Sequence, residues 1–509
     1  MLTIDNLTIT HLRDLRTVLT DFSLQLGPGD KAVLIGEEGN GKSTLLKLIH
    51  DPALVEGYAE WSGRVSQGGR TGYLPQELSQ EQLDMPAKLL FEASPAFAAL
   101  TPRDRFALAS ELGLDASMFS SMRPLFEFSG GERIKLQLAR LAAEEPELYL
   151  LDEPSNDLDL DSLEWLENFI LSRRQPVMFV SHDETLIEHT ANVIVHLELL
   201  RRKTMPRATV SRLDYRDYVE ARCRGLARQE QSARKEREEL DKRFERYMQI
   251  RRKVESAQRN ISRQDPHGGR LLKKKMHSVQ SMGRRFERER EALTDLPETE
   301  EAIFLTFPAG ASIPNGKRVL DLELSELAVD GRVLARDIEL HVAGPERICI
   351  VGGNGAGKTT LLRRVASELL QRRDLRAAYM PQELGERLNT SKSPIELLNR
   401  SGSRAEEARI RTMLGSLRYT TKEMERPCTE LSGGQRAKLL LASMALEGAD
   451  VLILDEPTRN LSPLSGPVVR GLLRSFRGAI ISVSHDRKFI AEVCTAVYEL
   501  TAGGLVRAV

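Results

Sequence analysis

Five short motifs occur twice along this chain, in the same order, and that repetition constrains the fold more than any other feature. GEEGNGKS at Gly36 to Ser43 recurs as GGNGAGKT at Gly352 to Thr359, and YLPQE ending at Glu77 recurs as YMPQE ending at Glu383. FSGGE at Phe128 to Glu132 recurs as LSGGQ at Leu431 to Gln435. LYLLDEP ending at Pro154 recurs as LILDEP ending at Pro457, and VSHD ending at Asp183 as VSHD ending at Asp486. Lys42 and Lys358 stand 316 residues apart, Gln76 and Gln382 306 apart, and the last three motif pairs share one offset of 303. Five motifs in one order at a near-constant spacing mark a tandem duplication. At 509 residues the chain is also too long for a single hydrophobic core. The copies run over 1–212 and 301–509, and residues 213–300 have no counterpart in either.

The repeated motifs carry nucleotide chemistry. KAVLIG and ICIVG are apolar runs that enter a glycine-rich loop, and STLLKLI and TTLLRRVA then read as helices. This strand–loop–helix context is that of a P-loop. It comprises Gly36, Glu37, Glu38, Gly39, Asn40, Gly41, Lys42, Ser43 and Thr44 in the first copy. In the second it comprises Gly352, Gly353, Asn354, Gly355, Ala356, Gly357, Lys358, Thr359 and Thr360. The glycines let backbone N–H groups curl around phosphate, and the helix N-terminus adds a favourable dipole. Lys42 and Lys358 are expected to reach the β- and γ-phosphates of ATP, with Ser43 and Thr359 on Mg²⁺.

LYLLDE and LILDE are buried parallel-strand runs ending in paired carboxylates. Asp152 and Asp455 are placed to hold Mg²⁺, directly or through water. Glu153 and Glu456, one residue on, suit the base that orients and deprotonates the attacking water. Gln76 and Gln382 follow a Tyr-x-Pro strand end, where they can sense the γ-phosphate or Mg²⁺. His182 and His485 end apolar strands and suit a hydrogen bond to the γ-phosphate. Ser129 and Ser432 each precede a basic amphipathic helix as reasonable N-caps, a weak signal on its own.

Net charge is −1, and 41% hydrophobic with 29% charged residues describes an ordinary globular protein. The four cysteines, Cys223, Cys349, Cys428 and Cys494, contain no CxxC pair. That excludes a recognisable zinc or iron–sulfur site, suits a reducing compartment and leaves buried or inert thiols as the expectation. MLTIDNLTIT alternates like a strand rather than a signal peptide, and no window approaches 18 consecutive apolar residues. A cytoplasmic protein without a membrane domain is expected.

The unrepeated segment differs in kind. From Leu213 to Asn260 it lacks proline and is rich in helix formers. Leu240, Phe244, Tyr247, Arg251 and Val254 follow a 4-3-4-3 rhythm, and Leu272, Met276, Val279, Gly283 and Phe286 repeat it beyond a turn at Gln264 to Gly269. This predicts an antiparallel helical hairpin packed along those stripes, with a first arm spanning about 70 Å if helical throughout. Residues 246–285 carry 12 Lys or Arg against two acids. Such a tip suits phosphate backbone, and Arg251, Arg252, Lys253, Arg259, Arg263, Arg270, Lys273, Lys274 and Lys275 are the candidate RNA contacts.

On these motifs the chain resembles the ATP-binding cassette (ABC) superfamily, of which LSGGQ is the signature. The expected fold class is therefore α/β: two P-loop ABC-type nucleotide-binding domains in tandem, joined by a long antiparallel α-helical hairpin. The resemblance implies that each signature closes over the other copy's P-loop. Ser432, Gly433, Gly434 and Gln435 would complete the first ATP site, and Ser129, Gly130, Gly131 and Glu132 the second. The sequence departs from the family pattern in places. Ser462 stands where an Asp is usual, Glu38 replaces Asn, Phe128 replaces Leu, and no adenine-stacking aromatic is found near His11 or Asp330. Unequal turnover at the two sites and loose base selectivity are expected.

Twin cassettes with a helical linker and no membrane domain resemble the ABC-F family. This implies binding to the ribosome, both rRNA and P-site tRNA, with the linker pushed toward the peptidyl transferase centre. It also implies a monomer whose own cassettes pair, and no role on DNA. Members of that family regulate translation or protect ribosomes from antibiotics. Gln76 to Ser129 spans 53 residues against 50 for Gln382 to Ser432, so the first copy has no arm-like insertion, as in the branches that include the protection factors. The rival reading is a twin ATPase subunit of a membrane transporter, in which the basic hairpin would have no purpose.

Overall fold

The computed structural model describes residues 1–156, 158–200, 204–260, 266–291, 307, 313–329, 331–388 and 390–508. The chain divides into two units, Met1–Arg216 with Glu300–Val509, and Asp217–Thr299.

In the first unit the duplication becomes two sheets of identical strand order. The opening alternation forms β1 (Leu2–His11), which pairs antiparallel with β2 (Arg16–Leu26) and β4 (Ala59–Gln67). The main sheet of the first copy uses β3 (Lys31–Ile35), β5 (Thr71–Leu74), β6 (Leu148–Asp152), β7 (Val177–Val180), β8 (Val193–Leu199) and β9 (Met205–Ser211), in the order β5-β6-β7-β3-β8-β9. All neighbours are parallel except β8 and β9.

In the second copy β10 (Arg318–Val329) pairs with β11 (Arg332–Ala343). Its main sheet uses β12 (Arg347–Val351), β13 (Ala377–Met380), β14 (Val451–Asp455), β15 (Ala479–Val483), β16 (Ala496–Thr501) and β17 (Gly504–Arg507), in the order β13-β14-β15-β12-β16-β17. These central strands are unbroken apolar runs because both faces are covered. Every residue of β3, β6, β7, β14 and β15 is buried.

This order places the chemistry. The P-loop leaves the carboxyl end of β3 or β12, the DE pair ends β6 or β14, and His182 or His485 follows β7 or β15, the strand between them. Ligands gather outside the carboxyl ends of the strands in sheets of this kind.

The second unit is helical. Tyr215–Asn260 and Pro266–Glu291 form two helices of 46 and 26 residues. Leu240, Tyr247, Val254, Val279 and Phe286 make one buried cluster, with Met248 and Met276 packed against it. A Cβ on Gly283 would sit 2.6 Å from the Tyr247 hydroxyl, so the missing side chain admits that ring. Two members of the expected stripe behave differently. Arg251 is exposed and pairs with Glu255 at 2.8 Å along its own helix. Phe244 keeps 41% of its surface exposed while packing edge-on to Phe286 at 5.9 Å. A 4-3-4-3 rhythm marks a stripe wider than the single partner helix can cover. The turn residues Gln264 and Asp265, and Arg263, lie outside the described residues, as does the 300/301 boundary.

Candidate functional site

Both P-loops depend on glycine at strand exit. Gly36 and Gly352 have φ of 140° and 145°, and a Cβ on either would lie 2.2 or 2.7 Å from the carbonyl of Leu197 or Leu500. No other residue type fits there. Lys42 is buried and its Nζ donates to the carbonyls of Gly36 at 2.7 Å and Glu37 at 3.0 Å. Lys358 does the same to Gly352 at 2.8 Å and Gly353 at 3.0 Å. Each lysine is thus coiled back over its own loop, above the N-terminus of the helix Lys42–His50 or Lys358–Leu369.

The hydroxyls meet the strand-end carboxylates. Ser43 Oγ donates to Asp152 Oδ1 at 3.0 Å, and Thr359 Oγ1 to Asp455 Oδ1 at 3.5 Å. Burial pushes both aspartates up to about 6. The buried Asp455 Oδ2 has no hydrogen-bond partner among the described residues. One hydroxyl, one carboxylate and a nearby glutamine per site is the sparse donor set on which Mg²⁺ keeps its waters and takes phosphate oxygens. The residues present therefore fit the ion.

Glu153 and Glu456 hold left-handed backbones, φ 51° and 49°, a conformation that non-glycine residues adopt at a cost of about 1–3 kcal/mol and mostly at functional sites. Their surroundings differ. Glu153 accepts from Asn156 Nδ2 at 2.6 Å and Gln76 Nε2 at 3.2 Å, and faces His182 Nε2 at 3.2 Å. Burial alone would raise its carboxyl, but the His182 contact and Asn156 outweigh burial and hold it at about 2. Burial prevails at Glu456 and pushes it up to about 8, against the His485 N–H donating at 3.4 Å. His485 is itself lowered to about 4 by burial and the charge of Lys358.

The two copies face each other, and each signature lies against the opposite P-loop. Ser129 and Ser432 form complete capping boxes with Glu132 and Gln435, so the fourth signature residue is engaged by its own loop. Phe128 is buried in place of the usual Leu, with the Arg123 guanidinium over its ring at 4.5 Å.

The second site is a cavity of about 710 Å³. Lys358, Thr359, Thr360, Gln382, Asp455, Glu456 and His485 line it from one copy, and Gly130, Arg133, Asn156 and His182 from the other. Val329, Arg332 and Leu334 supply an edge without an aromatic ring.

On the other side, a small crevice of about 30 Å³ lies between Glu37 and Glu38 of the first P-loop and Ser432, Gly434, Gln435 and Lys438 of the second signature helix. Glu38 Oε2 accepts from the Gly434 N–H at 3.2 Å, and Glu37 pairs with Lys438 at 2.9 Å. Acids in this P-loop thus occupy the N-terminal turn of the second signature helix, where a phosphate would gain the same dipole. The sequence marked Glu38 as a P-loop residue and a departure from the family pattern, but not its partner Gly434, which is 396 residues away.

The DEP loops cross the interface unequally. Asp159 sits below the ordinary range because bonds from Ser162 and the Asn354 N–H outweigh its burial, and its charge reaches His485. Ser462 brings no such charge. Instead the preceding Leu461 carbonyl accepts from His182 Nδ1 at 2.7 Å.

A family model described as ABC transporter matches residues 19–156 and 335–459. The chain is 30% identical to the tylosin resistance ATP-binding protein TlrC of Streptomyces fradiae, with 97% of this chain and 96% of that protein covered. It is 27% identical to ATP-binding cassette sub-family F member 3 of Homo sapiens, covering 97% of this chain and 70% of that protein. The archaeal ribosome recycling factor aABCE1, solved with the ribosomal stalk protein aP1, shares the fold at a TM-score of 0.59 and 16% identity, covering 99% and 90% of the two chains. Among the described residues no helix is long and apolar enough to cross a membrane. The chain belongs to the ABC-F branch of the ATP-binding cassette family and is an ATPase.

Proposed function

We propose that this ATPase acts on the bacterial ribosome, using closure of its cassettes to insert the basic hairpin toward the P-site tRNA and peptidyl transferase centre, and so protects the ribosome from an antibiotic. The observation that carries the reading is the hairpin itself. Arg252, Lys253, Arg259, Arg270, Lys273, Lys274 and Lys275 are all exposed around its far end, where solubility does not require them. A relative matched along nearly its whole length is a tylosin resistance protein, which makes tylosin the first drug to test.

In this reading Lys42 and Lys358 release their loop carbonyls to bind β- and γ-phosphates, and Glu153 and Glu456 orient the attacking water and take its proton. His182 and His485 hold the γ-phosphate, and Gln76 and Gln382 sense its presence. Ser43 with Asp152, and Thr359 with Asp455, would hold Mg²⁺, which when bound neutralises charge on the transferring phosphoryl group. The signatures Ser129–Glu132 and Ser432–Gln435 close the sites, so ATP stabilises the closed state by contacts that the open state lacks.

Replacing Glu153 and Glu456 together by Gln should trap the ATP-bound protein on ribosomes, read as cosedimentation with ATP and loss of it with ADP. A double variant that stays ribosome-free with ATP refutes the ribosomal reading. A ribosome-bound protein that leaves tylosin susceptibility unchanged on expression removes that drug and leaves a translation-regulating role.

A further inference from the structure

The interface between the cassettes carries two ion pairs of opposite polarity related by the internal repeat. Glu184, on the helix after His182, takes a two-bond clamp from Arg470, Nη1 to Oε1 at 2.6 Å and Nη2 to Oε2 at 3.1 Å. Arg470 lies on the helix Gly466–Ser475 that follows the second DEP loop. Arg487, on the helix after His485, pairs with Glu167 on the helix Leu160–Ser172 that follows the first DEP loop. Arg487 stands 303 residues after Glu184, and Arg470 303 after Glu167. That is the offset of the signature serines, so the four residues occupy two equivalent positions.

At both positions the first cassette supplies the acid and the second the base. Neighbours extend the pattern. Lys488 contacts Glu184 at 3.1 Å and also Glu188, and Asp183 lies 3.7 Å from Arg487. Within the first cassette His189 lies 2.9 Å from Glu167. Within the second cassette Arg470 also meets Glu492 at 3.0 Å. The side chains of Glu184 and Arg470 are only 6% and 3% exposed, so salt and water screen this pair little.

We propose that this quartet is a sorting clasp: it makes the closed interface specific for a first cassette against a second and rejects two cassettes of the same kind. Two first cassettes would set Glu184 against Glu167, and two second cassettes Arg487 against Arg470. Like charges in a desolvated contact are strongly unfavourable, so complementary charge specifies the partner. The hairpin tether then makes the cassette of the same chain the favoured partner by effective concentration. The clasp also ties the helix after each of His182 and His485 to the helix after the opposite DEP loop, so that pairing and site assembly occur together.

The test exchanges charge without changing fold. E167R/E184R makes both faces basic, and R470E/R487E makes both acidic. ATP turnover of either chain should fall about a hundredfold, the penalty for leaving a buried charge without its partner. The fourfold exchange E167R/E184R/R470E/R487E should recover about tenfold of that loss but not all of it, because Lys488, Glu492 and Asp183 keep their signs beside the exchanged residues. Mixing the all-acidic and all-basic chains should restore turnover that rises with the square of concentration, since each supplies the face the other lacks. The clasp is overturned if either double variant keeps parental turnover. It is also overturned if the fourfold exchange recovers neither soluble yield nor turnover beyond the double variants.

Discussion

Glu153 and Glu456 occupy equivalent positions with almost the same backbone, yet Glu153 is held at about 2 and Glu456 pushed up to about 8. The difference lies in the neighbours: Asn156, Gln76 and His182 solvate Glu153, whereas at Glu456 burial outweighs the His485 N–H that donates at 3.4 Å. A general base must be ionised. In an E153Q chain, turnover through Glu456 should therefore rise with pH, by about tenfold from pH 7 to a plateau above pH 8–9, because about a tenth of a group with pKa near 8 is ionised at pH 7. In an E456Q chain, turnover through Glu153 should be flat over the same range, since Glu153 is ionised throughout. Steady-state ATPase profiles of the two variants check this, and matching profiles would contradict the inequality. The DE motif itself was legible in the sequence. The difference in protonation was not, since it depends on burial and on Gln76 and His182, 77 and 29 residues from Glu153, which only the fold brings to it.

The hairpin helices show what a repeat of apolar residues does and does not disclose. The rhythm found Leu240, Tyr247, Val254, Val279 and Phe286, all buried together. It also drew in Arg251 and Phe244, which one partner helix leaves in solvent. Glycine separates the two cases. A Cβ on Gly225 meets nothing within 4 Å, whereas one on Gly283 meets Tyr247. G225A should stabilise the long helix by about 0.5–1 kcal/mol through helix propensity. G283A should weaken the pairing of the two helices despite the same propensity gain. Amide hydrogen exchange reads both, slower around residue 225 in the helix Tyr215–Asn260 for the first and faster across residues 240–286 for the second. Faster exchange in neither variant would mean that Tyr247 moves aside freely. The cysteines follow the same division: Cys349 and Cys428 are buried as expected, while Cys223 on this helix is exposed.

At the scale of the whole molecule, a near-neutral chain concentrates its positive charge in one place. If the exposed hairpin cations bind phosphate backbone, replacing Lys273, Lys274 and Lys275 by Gln should weaken ribosome binding at every salt concentration tested. It should also flatten the plot of log affinity against log salt by about one per lysine in contact. Cosedimentation between about 50 and 300 mM salt measures this. An unchanged slope would make the three lysines a solvated face only. The cassettes, by contrast, interact through a few desolvated charges, which salt should barely affect.

Sequence alone determined the duplication, the nucleotide chemistry and the hairpin, because these rest on covalent spacing and on local backbone rules. Glycines at strand exits, carboxylates ending buried strands and apolar rhythms along helices carry their meaning wherever the chain places them. Tertiary structure alone decided that the acids of the first P-loop meet the opposite signature helix, that the two general-base candidates differ in protonation, and which charges meet across the interface. Burial and charge pairing depend on groups hundreds of residues apart, and only folding brings those groups within a few ångströms.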